Sequence, residues 1–193
     1  MTLGNLFDLK GKVALVTGGA TGIGRMASIG LASAGARVLI ASRKAEVCQA
    51  VAADINIMGL AGSAEGFGGD VATQNGISNL ITALKSRTDK LHILMNNAGR
   101  TWGAPLGAFP YDAWDRVMAL NVTGMFHLTQ GLIEFLADTT DANDPARVVN
   151  VGSVMGEIPM GDDAYSYAIS KSAVHHMTRI LAKELIGRNI TVN

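Results

Sequence analysis

Tyr167 and Lys171 are the residues of this 193-residue sequence whose types and spacing most directly suggest chemistry. They lie four positions apart in a predicted helix and therefore share one face. A tyrosine phenol has a reference pKa of about 10, and a nearby ammonium favours its phenolate, so the pair could exchange a proton with a ligand. Ser153, which follows a predicted strand, could hydrogen-bond the same ligand. Taken singly, such a tyrosine is usually packing and such a serine usually caps a turn.

A glycine-rich segment at residues 17–24 follows the first predicted strand and opens the first predicted helix. Gly22-Ile23-Gly24, with Ala27 three positions further on, fits the G-x-G-x-x-A pattern of dinucleotide-binding turns. Glycines permit a tight turn there and let backbone N–H groups approach a pyrophosphate at the helix N-terminus. The alternative is an ordinary turn with a helix cap. The position between strand and helix favours a nucleotide site.

The end of the second predicted strand indicates which dinucleotide would bind. An acidic residue there would grip the ribose 2′-hydroxyl of NAD, but this chain has Ser42-Arg43-Lys44 and no acid before Glu46. Because a guanidinium binds a phosphate through two hydrogen bonds, the pattern favours the 2′-phosphate of NADP(H). The alternative is that Arg43 and Lys44 simply begin a solvated helix.

Short apolar runs alternate with longer amphipathic stretches along the chain. The predicted strands are 12–17, 37–41, 63–67, 91–95, 147–151 and 189–193, and the predicted helices are 22–35, 44–58, 75–87, 111–136 and 164–186. This order predicts a three-layer Rossmann-type α/β fold, a doubly wound parallel sheet covered on both faces. Ligands bind beyond the carboxyl ends of such strands, here after Val16, Ile40, Met95 and Val151.

Composition excludes several other classes of protein. Sixteen basic residues balance sixteen acidic ones, so no net field attracts nucleic acid or an anionic membrane. Apolar residues make up 48% of the chain, too many for a disordered protein, yet no apolar run is long enough to span a membrane. One cysteine excludes a disulfide scaffold, and the scattered histidines predict no metal site. The start of the chain reads as neither a secretory nor a transit signal, which predicts a cytoplasmic protein.

The combined motifs resemble the short-chain dehydrogenase/reductase family, in the family's order and spacing across residues 8–193. The elements that carry the resemblance are Thr17-Gly18-x-x-x-Gly22-x-Gly24, Asp70-Val71, Asn96-Asn97-Ala98-Gly99, Asn121, Ser153 and Tyr167-x-x-x-Lys171. Each motif alone is weak, whereas the combination is specific. The resemblance implies an oxidoreductase in which a nicotinamide supplies the hydride.

The resemblance also implies roles for individual residues. Tyr167 would be the acid/base, Lys171 would support it and hold the nicotinamide ribose, Ser153 would hydrogen-bond the substrate carbonyl, and Asn121 would hold a water in a proton relay to Lys171. The residues expected to bind the cofactor are Gly18, Thr21, Gly22, Ile23, Gly24, Ser42, Arg43, Asp70, Val71, Asn97, Ala98, Gly99, Tyr167 and Lys171. Asp70 could equally cap a helix, and Asn121 could equally accommodate a kink.

Three further segments resemble 3-oxoacyl-[acyl-carrier-protein] reductases of the rhamnolipid-pathway type: residues 97–104, 151–154 and 182–185. This closer resemblance implies NADPH-dependent reduction of a 3-oxoacyl thioester, with acyl carrier protein as a partner. The alternatives are a secondary-alcohol, steroid or sugar dehydrogenase of the same family, or a catalytically weak nucleotide-binding fragment.

Family members usually continue past the point where this sequence stops. We therefore expect residues 1–193 to be a single NADP-binding oxidoreductase domain, truncated after the start of strand six and lacking its C-terminal lid and last strand. The resemblance further implies a homo-oligomer, a dimer or tetramer formed through the two longest helices. The candidate contact residues are Met118, Met125, Leu132, His175, Met177 and Leu181.

Overall fold

A computed structural model describes residues 7–160 and 163–193; the rest of the predicted domain 1–193 lies outside the described residues. Within these ranges the strands form one six-stranded, wholly parallel sheet in the order β3-β2-β1-β4-β5-β6. The strands are β1 (Val13–Thr17), β2 (Arg37–Ser42), β3 (Ser63–Gly68), β4 (Ile93–Asn96), β5 (Ala146–Asn150) and β6 (Ile190–Val192). The predicted doubly wound α/β fold is confirmed.

The helices that connect the strands cover both faces of the sheet. They are α1 (Gly22–Ser33), α2 (Ala45–Ile57), α3 (Gln74–Lys85), α4 (Tyr111–Met118), α5 (Met125–Ala137) and α6 (Tyr165–Leu185). Two clusters of buried side chains separate the layers. One joins Leu15 and Leu39 to the apolar faces of α3, α5 and α6, and the other joins Val16 and Ile40 to α1 and α2. Neighbouring strand residues thus point into opposite cores, which explains why these strands are apolar throughout.

The segment predicted as one long helix, residues 111–136, is helical throughout, but it is not a uniform α-helix. Helix α4 runs through a π-helical turn, Ala119–Gly124, before α5 begins. Asn121 in this turn is fully buried, with its side chain bonded to the backbone of Arg100. Gly124 lies so close to the loop after β3 that an added Cβ would fall 1.8 Å from the carbonyl oxygen of Val71. The wider turn accommodates these two contacts, and such turns often mark functional sites.

Half of the residues predicted to contact another subunit are buried within the monomer. Met125 is 4% exposed, Leu132 0% and Leu181 8%, and the last two belong to the buried core that includes residues of the sheet. They cannot contact another subunit, so this part of the prediction is wrong. Apolar side chains that the same helices do expose include Phe126, Ile169 and Ile180.

His92 joins β1 to the segment before β4 at the amino end of the sheet. Its Nδ1 accepts the backbone N–H of Val13 at 3.0 Å, which requires an unprotonated Nδ1. Burial, followed by the positive charge of Lys12, lowers the pKa of His92, while Asp144 opposes the shift.

We expect this histidine to make the fold less stable in mild acid. The unfolded chain binds a proton at His92 as the pH falls below about 6.5, whereas the folded chain resists protonation until its lower pKa is reached. Between these two values stability should fall by at most about 1.4 kcal/mol per pH unit. Urea unfolding from pH 7.5 to pH 5.5 measures the slope. His92→Gln should flatten it, and His127→Gln, on an exposed side chain, should not. Equal slopes in all three proteins would contradict the assignment.

Candidate active site

The glycine turn joins β1 to α1 with its backbone drawn close to the loop after β4. Gly18 and Gly22 have φ angles of +64° and +49°, a region that favours glycine. At Gly24 an added Cβ would fall 2.3 Å from the carbonyl oxygen of Gly18 and 2.4 Å from Nδ2 of Asn97. Thr21 precedes α1 without a side-chain cap, and the first turn of the helix carries no acid. The N-terminus of α1 therefore leaves N–H groups available to an anion.

The loop after β4 is held against the glycine turn by side chains from both. Asn97 Nδ2 donates hydrogen bonds to the carbonyl oxygens of Thr17 and Gly18, each at 3.0 Å. In return, Thr17 Oγ1 accepts the backbone N–H groups of Asn97 and Ala98, each at 3.1 Å. Asn97 and Ala98 were predicted from the sequence as cofactor-binding residues, whereas Thr17 was named only as the first residue of the glycine-turn motif. Because β1 and β4 lie where the strand order reverses, this junction marks the usual ligand crevice of such sheets.

A cleft of about 210 Å³ lies beyond the carboxyl ends of β1 to β4. It brings together nine of the residues predicted to bind the cofactor: Gly18, Thr21, Ser42, Arg43, Asp70, Val71, Asn97, Ala98 and Gly99. Asp70 Oδ1 also accepts the N–H of Ala72 at 2.9 Å, so the carboxylate shapes the loop as well. Gly22 and Gly24 do not line the cleft but form the turn behind it.

Ser42 and Arg43 lie at the rim of this cleft, while Lys44 does not line it. Ser42 Oγ accepts the backbone N–H of Lys44 at 3.2 Å. Within the described ranges the guanidinium of Arg43 takes part in no ion pair. It is therefore available to an anionic group bound in the cleft.

Tyr167 and Lys171 lie on one face of α6, beside a second cleft of about 650 Å³. Lys171 is only 4% exposed, and its Nζ donates a hydrogen bond to the carbonyl oxygen of Val151 at 2.6 Å. The same Nζ lies 5.6 Å from the centre of the Tyr167 ring. Burial lowers the pKa of the Lys171 ammonium below its usual value. The second cleft adjoins the first, since Asn97 and Gly99 line both.

Ser153 follows β5, in the turn between Gly152 and Met155, two residues that line the second cleft. Its Oγ accepts the N–H of Met155 at 3.3 Å and so caps a short 3₁₀ turn, Val154–Gly156. The cap uses Ser153 as an acceptor, which leaves its hydroxyl hydrogen free to be donated.

The side chain of Asn121 makes three hydrogen bonds within the protein. Oδ1 accepts the N–H of Arg100 at 2.9 Å, while Nδ2 donates to the carbonyl oxygen of Arg100 at 2.9 Å and to Ser170 Oγ at 3.0 Å. These bonds use both hydrogens of the amide and one lone pair of its oxygen. The structure thus places Asn121 beneath the loop after β4, behind the clefts.

Several residues near the second cleft were not predicted as site residues. Arg100, Thr101 and Gly103 line it beside the predicted Ile23. Trp102, in the same loop, does not line this cleft and lies against the guanidinium of Arg116, 5.6 Å from the ring centre. Arg100, Thr101 and Gly103 fall within residues 97–104, one of the segments that resemble the rhamnolipid-pathway reductases, but that resemblance gave them no role in the site. Their positions depend on how the loop after β4 folds back.

In the part of the chain that the structure describes, no group of three or more histidine, cysteine, aspartate or glutamate side chains is arranged to hold a metal ion. None of the described helices combines the length and apolar character that crossing a bilayer requires.

Comparisons with known proteins agree with this geometry. A family model described as short chain dehydrogenase matches residues 12–193. The chain is 45% identical over 187 residues to the rhamnolipids biosynthesis 3-oxoacyl-[acyl-carrier-protein] reductase of Pseudomonas aeruginosa, covering 97% of this chain and 72% of that protein. It is 32% identical to the D-threitol dehydrogenase of Mycolicibacterium smegmatis, covering 97% and 69%.

A solved structure, the Pseudomonas aeruginosa RhlG/NADP active-site complex, matches the fold with a TM-score of 0.93 at 45% identity, covering 97% of this chain and 72% of that one. The family model, the relatives and the shared fold lead to one conclusion. The chain belongs to the short-chain dehydrogenase/reductase family.

Proposed function

We propose that residues 1–193 form one oxidoreductase domain that reduces the ketone of a 3-oxoacyl thioester with NADPH. The observation that carries this proposal is the Tyr167–Lys171 pair beside a cleft that continues into the glycine-turn cleft. A dinucleotide bound along the first cleft would extend into the second, which is lined by Tyr167, a proton donor, and by the buried ammonium of Lys171. Identity with the Pseudomonas aeruginosa reductase supports the choice of substrate.

The residues of the first cleft fit NADP(H). The α1 N-terminus offers N–H groups to a pyrophosphate, and the close approach at Gly24 leaves no room for a side chain there. Arg43 and Ser42 suit a 2′-phosphate. The structural relative was solved as an NADP complex, which supports the same cofactor. When bound, the reduced nicotinamide supplies a hydride to the ketone carbon.

Four residues of the chain would complete the reduction. Tyr167 donates the proton from its hydroxyl to the developing alkoxide, and Ser153 donates a hydrogen bond to the same oxygen. Lys171 favours the phenolate that remains, since its ammonium lies close to the ring. Asn121 holds the loop of Arg100 in place, and its backbone is the proposed contact for a relay water.

We expect Arg43→Ala to weaken NADPH binding while hardly changing NADH binding. A charge-assisted hydrogen bond is worth about 1.5–3 kcal/mol, which corresponds to a loss of roughly 10- to 150-fold in affinity. Fluorescence titration of the protein with each cofactor measures both constants. Lys44→Ala, one residue beyond the cleft rim, is the matched control and should have a small effect. Equal losses for NADPH and NADH would show that Arg43 is structural.

The alternative is a dehydrogenase of a polyol or another secondary alcohol, supported by the similarity to D-threitol dehydrogenase. An apolar cluster near the start of α4 favours the acyl substrate instead. It consists of Leu106, Phe109, Pro110, Trp114 and Tyr165, with the rings of Trp114 and Tyr165 packed edge-on against Phe109. Such a surface suits a hydrocarbon chain better than a polyol.

A substrate panel tests the proposed function. The purified protein is mixed with NADPH and, in turn, a 3-oxoacyl thioester, a ketose and a steroid ketone, and the loss of nicotinamide absorbance is followed. We expect the thioester to give the largest kcat/KM. The same 3-oxoacyl group carried on acyl carrier protein is tested as a further substrate. Preference for the ketose would establish the alternative, and no turnover with any ketone would reject the reductase.

We also propose a cytoplasmic homo-oligomer, either a dimer or a tetramer. A single free cysteine, Cys48, is consistent with a reducing compartment. Exposed apolar side chains on α5 and α6, including Phe126, Ile169 and Ile180, are consistent with contact between subunits. Light scattering that gives the mass of one chain at micromolar concentration would contradict the oligomer.

A further inference from the structure

His175 of α6 is enclosed by the turn that carries Ser153. An added Cβ at Gly152 would fall 2.3 Å from Nε2 of His175, and one at Gly156 would fall 2.9 Å from its Cε1. The turn therefore wraps around the imidazole with glycine on either side. The imidazole accounts for the glycine at position 152, while at Gly156 an added Cβ would also fall 2.8 Å from the backbone carbonyl carbon of Lys171.

The imidazole also bonds to the turn through a polar atom. Nε2 accepts the backbone N–H of Ser153 at 3.3 Å. With Nε2 as an acceptor, the neutral ring carries its proton on Nδ1. That Nδ1 is buried and has no hydrogen-bond partner, with the nearest carboxylate oxygen of Glu157 at 3.6 Å. One of the two ring nitrogens therefore lacks a hydrogen bond within the protein, a cost that an apolar side chain at this position would avoid.

We propose that His175 is a positioning residue for Ser153. Its imidazole fixes the backbone N–H of Ser153 and fills the space between Gly152 and Gly156, so that the Ser153 hydroxyl is directed at the substrate carbonyl. This inference rests on the proposed function, in which Ser153 donates a hydrogen bond to that carbonyl. His175 itself touches neither substrate nor cofactor in this role.

The surroundings of the turn support a local role rather than general packing. Ser172, one helical turn from His175, donates its Oγ hydrogen to the carbonyl oxygen of Gly156 at 2.5 Å. The N–H of Gly156 in turn bonds to the carbonyl oxygen of Ser153 at 2.9 Å. Helix α6 therefore holds both ends of the turn, and His175 supplies the bond nearest the reacting hydroxyl.

Three variants separate positioning from packing. His175→Leu fills the space with an apolar side chain but removes the acceptor. His175→Gln offers an acceptor oxygen at a similar reach, and His176→Leu is the control on the adjacent exposed residue. We expect His175→Leu to lower kcat for the ketone by roughly 10- to 100-fold, the effect of a small misplacement of a reacting group. The KM for NADPH should change less than about twofold, because the turn lies away from the Arg43 cleft. His175→Gln should recover most of kcat.

Amide hydrogen exchange, measured by NMR on the free protein, gives a readout that needs no turnover. Ser153 should exchange faster in His175→Leu than in the wild type, with Gln again intermediate. Amides of β1, far from the turn, should be unchanged. If the Leu variant does not fold, the comparison of His175→Gln with the wild type and with His176→Leu still tests the acceptor.

The outcomes distinguish this inference from the proposed function. Wild-type protein that reduces no ketone would reject the function, while slow exchange at Ser153 would still depend on His175. A ketone reductase in which His175→Leu keeps full kcat would overturn the inference alone. So would equal losses in His175→Leu and His176→Leu, or a Gln variant as impaired as the Leu variant.

Discussion

Replacing Tyr167 by phenylalanine is expected to lower ketone turnover by a factor of about 10²–10⁴, the usual contribution of a positioned general acid. The substitution removes the hydroxyl that would donate the proton and leaves the ring in place beside Lys171. NADPH affinity should stay within about threefold of the wild type, because the glycine turn and Arg43 are untouched. Steady-state kinetics and a cofactor titration on the same protein preparation measure the two effects.

Tyr165→Phe provides the matched control for this experiment. Tyr165 lies two residues earlier on α6 and donates its hydroxyl hydrogen to Asp163 at 3.2 Å, away from Lys171. The same loss of one hydroxyl should therefore leave turnover nearly unchanged. A Tyr167→Phe protein that keeps most of its turnover would assign the proton donor to another group.

Gly24→Ala and Gly30→Ala should change stability in opposite directions although they make the same substitution in one helix. At Gly24 the new methyl would meet Gly18 and Asn97 at 2.3–2.4 Å, and the backbone of the glycine turn would have to move. We expect a loss of about 3 kcal/mol or more, the upper range for overpacking. At Gly30 nothing lies within 4 Å of the added Cβ, so alanine should stabilise the helix by about 0.4–1 kcal/mol.

Urea unfolding of both variants measures these changes, and a titration with NADPH follows the site. Gly24→Ala should also weaken cofactor binding, since the displaced turn includes the N–H groups offered to the pyrophosphate. Gly30→Ala should bind NADPH as the wild type does. A Gly24→Ala protein of unchanged stability would show that the backbone of the turn can move at little cost, and that the close contact of Gly24 with Gly18 and Asn97 does not stabilise the fold.

The strands and the glycine turn could be predicted because their signals are local. Apolar runs such as Leu15 with Val16 are buried on both faces, and glycines with positive φ mark the turn that follows. The order of strands then follows from general rules of right-handed crossovers. Ser42 and Arg43 could be placed at a cleft because they follow directly from a buried strand.

Features that depend on contacts distant in sequence could not be predicted. The π-helical turn contacts Arg100 and Val71, which lie outside the helix. Helical periodicity in the sequence does not reveal a single widened turn. For the same reason, Met125 and Leu132 could not be told from surface residues of an apolar helix. His175 was predicted only as a candidate contact with another subunit, because nothing in its own segment shows which turn encloses it.

The central position of β1 has a consequence for folding during synthesis. One edge of β1 pairs with β2, which is close in sequence, with Val13 opposite Arg37. The other edge pairs with β4, which is made much later, with Ala14 opposite Ile93. Ribosomes add about 5–20 residues per second, so the edge of β1 that pairs with β4 stays unpaired for roughly 4–16 s while the chain between the two strands is made. Open edges of this kind pair readily with other chains. The arrival of His92 and Asn97, which bond to Val13 and Thr17 at opposite ends of β1, closes that period of exposure. Substitutions at these two residues should therefore lower the soluble yield of newly made protein more than they lower the stability of the folded protein.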